Sequence, residues 1–202
     1  MEQYFTTHPQ VEHQQRTFTF QLRTHNLQFT TDNGVFSKQI IDYGTRVLIA
    51  ALNWDGLPAG KLLDLGCGYG PIGLTMAKEL PQRLIDMVDI NQRALTLAQA
   101  NAQTNHISNV EIKPSNIYQQ LNDQIYAGIY TNPPIRAGKV VVTNMITQAV
   151  EHLKPNGQLW LVVQKKQGEP TYKKIMQQTF NNVQIITRNK GYYVLKSVKT
   201  ND

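Results

Sequence analysis

From Lys61 onward the chain alternates short apolar runs with amphipathic stretches of helical length, and nothing else in the sequence constrains the fold as tightly. Lys61–Leu65, Leu84–Ile90, Val110–Pro114, Ala127–Thr131 and Gln158–Gln164 read as strands. Between and after them Pro71–Leu80, Gln92–Thr104, Val140–Leu153 and a stretch near Tyr172–Phe180 read as helices. Pro71 suits a first helical turn, Pro81 a stop, and Lys154-Pro155-Asn156-Gly157 a turn closing the third of these helices. Strands joined through helices pair parallel, by right-handed crossovers that put helices on both faces. The last two strands, Val183–Thr187 and Tyr192–Val198, are connected across Asn189-Lys190-Gly191, too few residues for a crossover, so they pair antiparallel. The expectation is a doubly wound α/β fold: a mostly parallel seven-stranded sheet with its last strand antiparallel.

Upstream, residues 17–30 alternate apolar and polar on either side of Thr24-His25-Asn26, the pattern of a β-hairpin. Asp32-Asn33-Gly34 is a turn and Ile40–Leu52 an amphipathic helix. A length of 202 residues accommodates one core. We therefore read 1–202 as one domain, with a hairpin-and-helix extension over 1–57 and the core over 58–202. The longest apolar run, Val47–Leu52, is six residues, whereas a membrane span needs about 20. Met1–Phe5 has neither the basic start nor the apolar stretch of a signal peptide. Cys67 is the single cysteine, which excludes an intrachain disulfide and a thiolate-rich zinc site. These features predict a reduced, soluble, cytoplasmic protein with neither metal nor membrane partner.

The net charge of +6 is unevenly distributed: residues 1–135 carry 9 basic and 11 acidic side chains, residues 136–202 carry 11 and 3. A positive field in the last third suits a polyanionic partner such as nucleic acid, and is equally the pattern of a solvated basic surface.

In open α/β sheets ligands bind beyond the carboxyl ends of the strands, and the chemistry-bearing residues follow strands here. Asp64-Leu65-Gly66-Cys67-Gly68-Tyr69-Gly70 packs three glycines into five residues, so the backbone can turn and approach a ligand closely. A dinucleotide fingerprint would place a third glycine where Pro71 stands, and an acid two residues before the first glycine suits a ligand bearing an ammonium group. Asp89, ending the next strand, can accept from both hydroxyls of a ribose, or cap the helix starting near Asn91. Ser115-Asn116 follows the third strand, where an amide can accept from an exocyclic amine. Thr131-Asn132-Pro133-Pro134-Ile135 follows the fourth. A residue before proline is pushed to extended geometry, so Asn132 projects from the strand end, and two consecutive prolines stiffen the segment after it. The Asn132 amide oxygen and the Pro133 carbonyl then form a pair of fixed acceptors able to bracket a planar –NH2. Such a nitrogen is a poor nucleophile because its lone pair is delocalised; hydrogen bonds to both protons favour the pyramidal form that attacks.

Together these residues resemble the class I S-adenosylmethionine-dependent methyltransferases, with their Rossmann-like fold. They are most similar to the 16S (small-subunit) ribosomal RNA guanine-N2 methyltransferases, the ribosomal RNA small subunit methyltransferase C group. That closer likeness rests on Gly34-Val35-Phe36-Ser37-Lys38, Asp42-Tyr43-Gly44-Thr45, Thr131-Asn132-Pro133-Pro134-Ile135-Arg136-Ala137-Gly138-Lys139 and Gln164-Lys165-Lys166-Gln167-Gly168, and runs from about Tyr4 to Lys199. The resemblance implies S-adenosyl-L-methionine as cofactor, with Asp64, Gly66, Cys67, Gly68, Gly70, Asp89, Ile90, Asn116 and Asn132 as binding residues. Phe36, Asp42, Gly44 and Thr45 join them from the segment that closes over the cofactor. Asn132, Pro133 and Pro134 form the amine site, and Ile135, Arg136, Lys139, Lys165 and Lys166 contact RNA. The implied partner is ribosomal RNA or the small ribosomal subunit. Ile135 stands where many relatives carry an aromatic residue, Asn116 where an aspartate is usual, and this sequence carries one copy of a domain often duplicated.

Other readings share parts of the pattern. Adenine N6 and the glutamine amide of a protein also offer a planar –NH2. An NAD-dependent oxidoreductase could use a similar glycine turn, and a non-catalytic RNA-binding module would need only the basic third.

Overall fold

The computed structural model describes residues 6–7 and 9–200; Met1–Phe5, read above for a leader and for the start of the resemblance, lie outside the described residues. Alternating side chains pair β1 (Arg16–Leu22) antiparallel with β2 (His25–Thr31), burying Leu22, Leu27 and Phe29. The hairpin turns at Arg23 and Thr24, one residue earlier than the sequence pattern suggests, with Arg23 at φ 55°. The Arg23 guanidinium then donates to the Leu52 carbonyl at 2.6 Å, tying the turn to the end of α1 (Tyr43–Ala51). That helix begins at Tyr43 instead of Ile40 because Asp42 caps it, its Oδ2 accepting from Thr45 N at 3.1 Å.

The core elements follow in order: β3 (Leu62–Leu65), α2 (Pro71–Glu79), β4 (Ile85–Asp89), α3 (Gln92–Thr104), β5 (Val110–Pro114), β6 (Tyr126–Thr131), α4 (Lys139–Thr147), β7 (Leu153–Gln164), α5 (Glu169–Phe180), β8 (Gln184–Asn189) and β9 (Tyr192–Val198). Seven strands form one sheet in the order β5-β4-β3-β6-β7-β9-β8, in which β9 alone runs antiparallel to its neighbours β7 and β8. The fold is the doubly wound, Rossmann-like one expected, with an amino-terminal hairpin as a separate small sheet. Strand order reverses between β3 and β6, so the crevice at their carboxyl ends is where a ligand belongs.

One expected helix is shorter and one strand longer. α4 stops at Thr147, a 3-10 turn spans Gln148–Val150, and Leu153 already pairs with Tyr126 as the first residue of β7. Pro155-Asn156-Gly157 is an excursion inside β7, where the register moves from Tyr126↔Leu153 to Gly128↔Gln158 and Asn156 sits at φ 62°. Backbone bonds from Asn156 N to Lys199 O (2.8 Å) and Lys199 N to Gly157 O (2.9 Å) replace the lost ladder.

Apolar side chains fill both faces of the sheet. Leu62, Met87, Tyr130 and Trp160 pack with α1, α2, α3 and the hairpin; Leu63, Ile129, Leu159 and Leu161 pack with α4 and α5. The hairpin is held by two asparagines one turn apart, Asn101 on α3 and Asn105 at its carboxyl-terminal cap. Asn101 accepts from Thr30 N (2.7 Å) and donates to Thr30 O (3.0 Å), and Asn105 does the same for Gln28 at 2.9 and 2.7 Å. Their amides satisfy backbone groups of β2 that would otherwise be an open strand edge. No described helix is long and apolar enough to cross a membrane.

Candidate active site

The loop after β3 is shaped by backbone bonds: Gly66 N and Cys67 N both donate to Val88 O, at 2.8 and 2.9 Å. Gly66 (φ 77°) and Gly68 (φ 55°) occupy the left-handed region, and a Cβ on either would meet no protein atom within 4 Å. Their hydrogens face open space at the crevice. Gly70, the third glycine, serves packing instead. A Cβ there would come within 3.0 Å of Leu74 and Met87, so its smallness seats α2 on β4.

Two carboxylates lie beneath and beside this loop. Asp64 is fully buried; its Oδ2 accepts from Gly73 N at 2.7 Å while its Oδ1 has no partner. Burial pushes the Asp64 carboxyl up to about 7, aided by the nearby Asp89 charge and opposed by the Gly73 N–H. Asp89 ties the loop to the end of β4, its Oδ2 accepting from Gly68 N and its Oδ1 from Asn91 N, each at 2.9 Å. Burial raises Asp89 as well, against the pull of these backbone donors. Burial likewise holds the Cys67 thiol up, so it is a packed, inert thiol and not a nucleophile.

The segment before α1 is drawn over the crevice from the α3 side. Asn91 Nδ2 donates to Gly34 O at 2.8 Å, and the Arg93 guanidinium donates to Asn33 O, Pro9 O and Val11 O at 2.8, 3.1 and 3.0 Å. These bonds bring Phe36 and Ser37 to the cavity wall.

At the end of β6, Thr131 Oγ1 donates to Leu65 O at 2.7 Å, which locks this strand end to that of β3. Asn132 comes next, and its Nδ2 donates to Asp42 Oδ2 at 3.0 Å and to Thr45 Oγ1 at 2.8 Å. Both amide protons are thereby engaged on the α1 side, which leaves the Asn132 oxygen as the amide's free acceptor. The Pro134 carbonyl accepts from Ala137 N at 2.9 Å, whereas among the described residues no bond engages the Pro133 carbonyl. The cap residue of one helix and a hydroxyl on its first turn thus set the amide's orientation.

These elements enclose a cavity of about 230 Å³. Of the residues expected from sequence, Phe36, Asp42, Thr45, Gly66, Cys67, Gly68, Asp89, Ile90, Asn116, Asn132, Pro133 and Pro134 line it. Asp64, Gly70 and Gly44 lie behind its wall. A Cβ on Gly44 would come 2.8 Å from the Tyr192 ring, so that glycine lets α1 approach β9. Ile135 and Arg136 do not line the cavity but open the 3-10 turn Ile135–Ala137, whose Ala137 does, and Lys139 opens α4. Lys165 and Lys166 lie in another 3-10 turn after β7; these four cations are exposed. Sequence reasoning passed over Ser37, Tyr69, Ile72, Asn91, Ala94, Ile117, Val141 and Met145, which also line the cavity. The i, i+4 spacing of Val141 and Met145 was the one available signal, and a core face gives the same one.

Residues 26–196 match the model of the methyltransferase small domain family. An uncharacterized protein of Bacillus subtilis, YbxB, is 43% identical over 199 residues, covering 98% of each chain. The ribosomal RNA small subunit methyltransferase C of Haemophilus influenzae is 33% identical over 86% of this chain, and that of Psychromonas ingrahamii 30% over 91%. The match covers 52% of each of these enzymes, so the chain spans about half their length. Among solved structures, the Thermus thermophilus 16S rRNA N2 G1207 methyltransferase, in complex with AdoMet and guanosine, superposes with a TM-score of 0.80 at 24% identity. The superposition covers 92% of this chain and 50% of that one.

Proposed function

The chain belongs to the methyltransferase small domain family, with S-adenosylmethionine as methyl donor, and from that premise we propose that it methylates the exocyclic N2 of a guanine in small-subunit ribosomal RNA. One observation carries the reading: the Asn132 amide is held by Asp42 and Thr45 so that it offers the cavity an acceptor. An acceptor fixed at a strand tip suits a nitrogen that has protons to give and a lone pair to be freed.

The residues fit the cofactor. Gly66 and Gly68 leave the space that a Cβ would fill, Asp89 keeps lone pairs for a diol, and Asp64 Oδ1 is a buried acceptor without a donor. From behind the cavity wall, Asp64 would hold the ammonium group of the cofactor by its charge. The bound cofactor supplies an electrophilic sulfonium methyl. Asn132 Oδ1 and the Pro133 carbonyl accept the two amine protons, orient the nitrogen lone pair inward, and stabilise the positive charge that grows on it. Phe36 and the segment around it exclude water from the donor side. A guanine within a duplex is out of reach in line, so the acceptor base is unpaired or turned out. Arg136, Lys139, Lys165 and Lys166 serve the phosphates of the substrate.

Guanine N2 is preferred to adenine N6 or a protein amide because the methyltransferase C relatives match over most of this chain and because residues 136–202 are strongly basic. Tritium transfer from labelled S-adenosylmethionine to small subunits, naked ribosomal RNA, DNA and a glutamine-bearing release factor tests it. Label in N2-methylguanine of the small-subunit RNA is expected. Label only in protein or in N6-methyladenine overturns it.

A further inference from the structure

The first turn of α1 faces two ways. Asp42 and Thr45 reach Asn132, while Tyr43, one residue after Asp42, reaches the turn between β8 and β9, and Arg46, one residue after Thr45, packs on the Tyr43 ring. The Arg46 guanidinium lies 5.0 Å from the centre of the Tyr43 ring and 5.6 Å from that of Phe20, and the Lys190 ammonium lies 5.4 Å from Tyr43. Tyr43 Oη donates to Asn189 Oδ1 at 2.9 Å, and its ring packs 5.6 Å from that of Tyr192. The same turn is fastened to the end of β7, where Lys165 N donates to Gly191 O at 2.8 Å. Arg46 and Lys190 therefore meet on the Tyr43 ring, at the start of the helix that holds Asn132, and Lys165 is tied to the same turn through its backbone.

Among the described residues no carboxylate lies within ion-pair distance of Arg46, Lys190 or Lys165, and Arg46 Nε is buried without an acceptor. Two like charges gathered on one aromatic ring repel each other until an anion comes between them. Aromatic rings interleaved with unpaired cations suit a single-stranded polynucleotide better than an acidic peptide, since the rings meet bases and the cations meet phosphates.

We propose that Arg46 and Lys190, held against Tyr43, grip the phosphodiester backbone of single-stranded RNA next to the nucleotide whose base enters the cavity. The proposal rests on RNA being the acceptor. It also gives α1 a linking part, because the helix that grips the strand orients the Asn132 amide.

The test is fluorescence anisotropy of a short labelled single-stranded RNA across a salt series, with wild type, Lys190→Gln, Arg46→Gln and, as control, Lys174→Gln on the far-side helix α5. Each lost phosphate contact should lower the slope of log affinity against log salt by about 0.7. Lys190→Gln and Arg46→Gln should each show that loss with unchanged cofactor affinity, and Lys174→Gln should match wild type. Lys190 is exposed in a turn, so its variant keeps the test decisive should Arg46→Gln fold poorly. Equal slopes for Lys190→Gln and wild type, or no RNA binding by wild type, overturn the proposal. RNA bound with the expected slopes but methylated elsewhere than guanine N2 leaves this surface standing and overturns the acceptor assignment instead.

Discussion

Asn132 and Asp42, ninety residues apart in sequence, are joined by a 3.0 Å hydrogen bond from the amide nitrogen of one to the carboxylate of the other, and Thr45 takes the second amide proton at 2.8 Å. The bond decides which end of the amide meets the substrate. Thr45→Val removes one of the two restraints and leaves the cavity's shape unchanged. One such bond is worth about 1 kcal/mol, so kcat should fall about fivefold. Cofactor affinity should hold, and Thr45→Ser should restore the rate. Steady-state kinetics with calorimetry checks this.

The glycine loop makes a prediction separable from stability. Gly68→Ala places a methyl at φ 55° in open space facing the cavity, and Gly56→Ala places one at φ 67° in a surface turn. Both should cost about 1 kcal/mol of stability through backbone strain. Only Gly68→Ala should lose cofactor binding, read by calorimetry beside thermal melts of the two variants.

Asp64 gives the protein a pH signature. Its carboxyl is lifted by burial to about 7, so between about pH 4 and about pH 7 the folded chain holds a proton that the unfolded chain has released. Stability of the cofactor-free protein should therefore fall as pH rises through that window and level off above it. Asp64→Asn should flatten this dependence by up to about 4 kcal/mol, from the three-unit shift. An ammonium brought near Asp64 would favour the carboxylate, so cofactor binding near pH 6.5 should release a proton from wild type and none through this group in the variant. Calorimetry in buffers of different ionisation enthalpy measures that release.

The hairpin depends on α3. Asn101→Ala leaves Thr30 N and the Thr30 and Tyr69 carbonyls without their partner. The loss should cost about 1–3 kcal/mol, and hydrogen exchange at Thr30 should quicken while β3 and β6 stay protected.

Much of the fold was legible because strands and helices carry different periods and because prolines and glycines punctuate them. Gln92–Thr104 and Val110–Pro114 emerge with their bounds unchanged. The misjudged places are those where distant residues decide. Pro155-Asn156-Gly157 reads as a turn and is one locally, yet Tyr126 on one side and Lys199 on the other draw it into a strand. The start of α1 moves to Tyr43 because Asp42 serves as its cap. In the site, glycines and acids stand out by type and position, and most line the cavity. That Asp64 lies behind the wall, that Asn132 is turned by Asp42, and that Lys190 meets Tyr43 across 147 positions are facts of packing no local pattern encodes.

The central claim is that the Asn132 oxygen at the tip of β6 holds the amine that receives the methyl group. Single-turnover transfer from tritiated S-adenosylmethionine to small-subunit RNA, comparing wild type with Asn132→Ala at saturating cofactor, tests it most directly. The account predicts label in N2-methylguanine with wild type and a rate lower by about a hundredfold or more with Asn132→Ala, cofactor affinity being retained. Transfer by Asn132→Ala at the wild-type rate would contradict it.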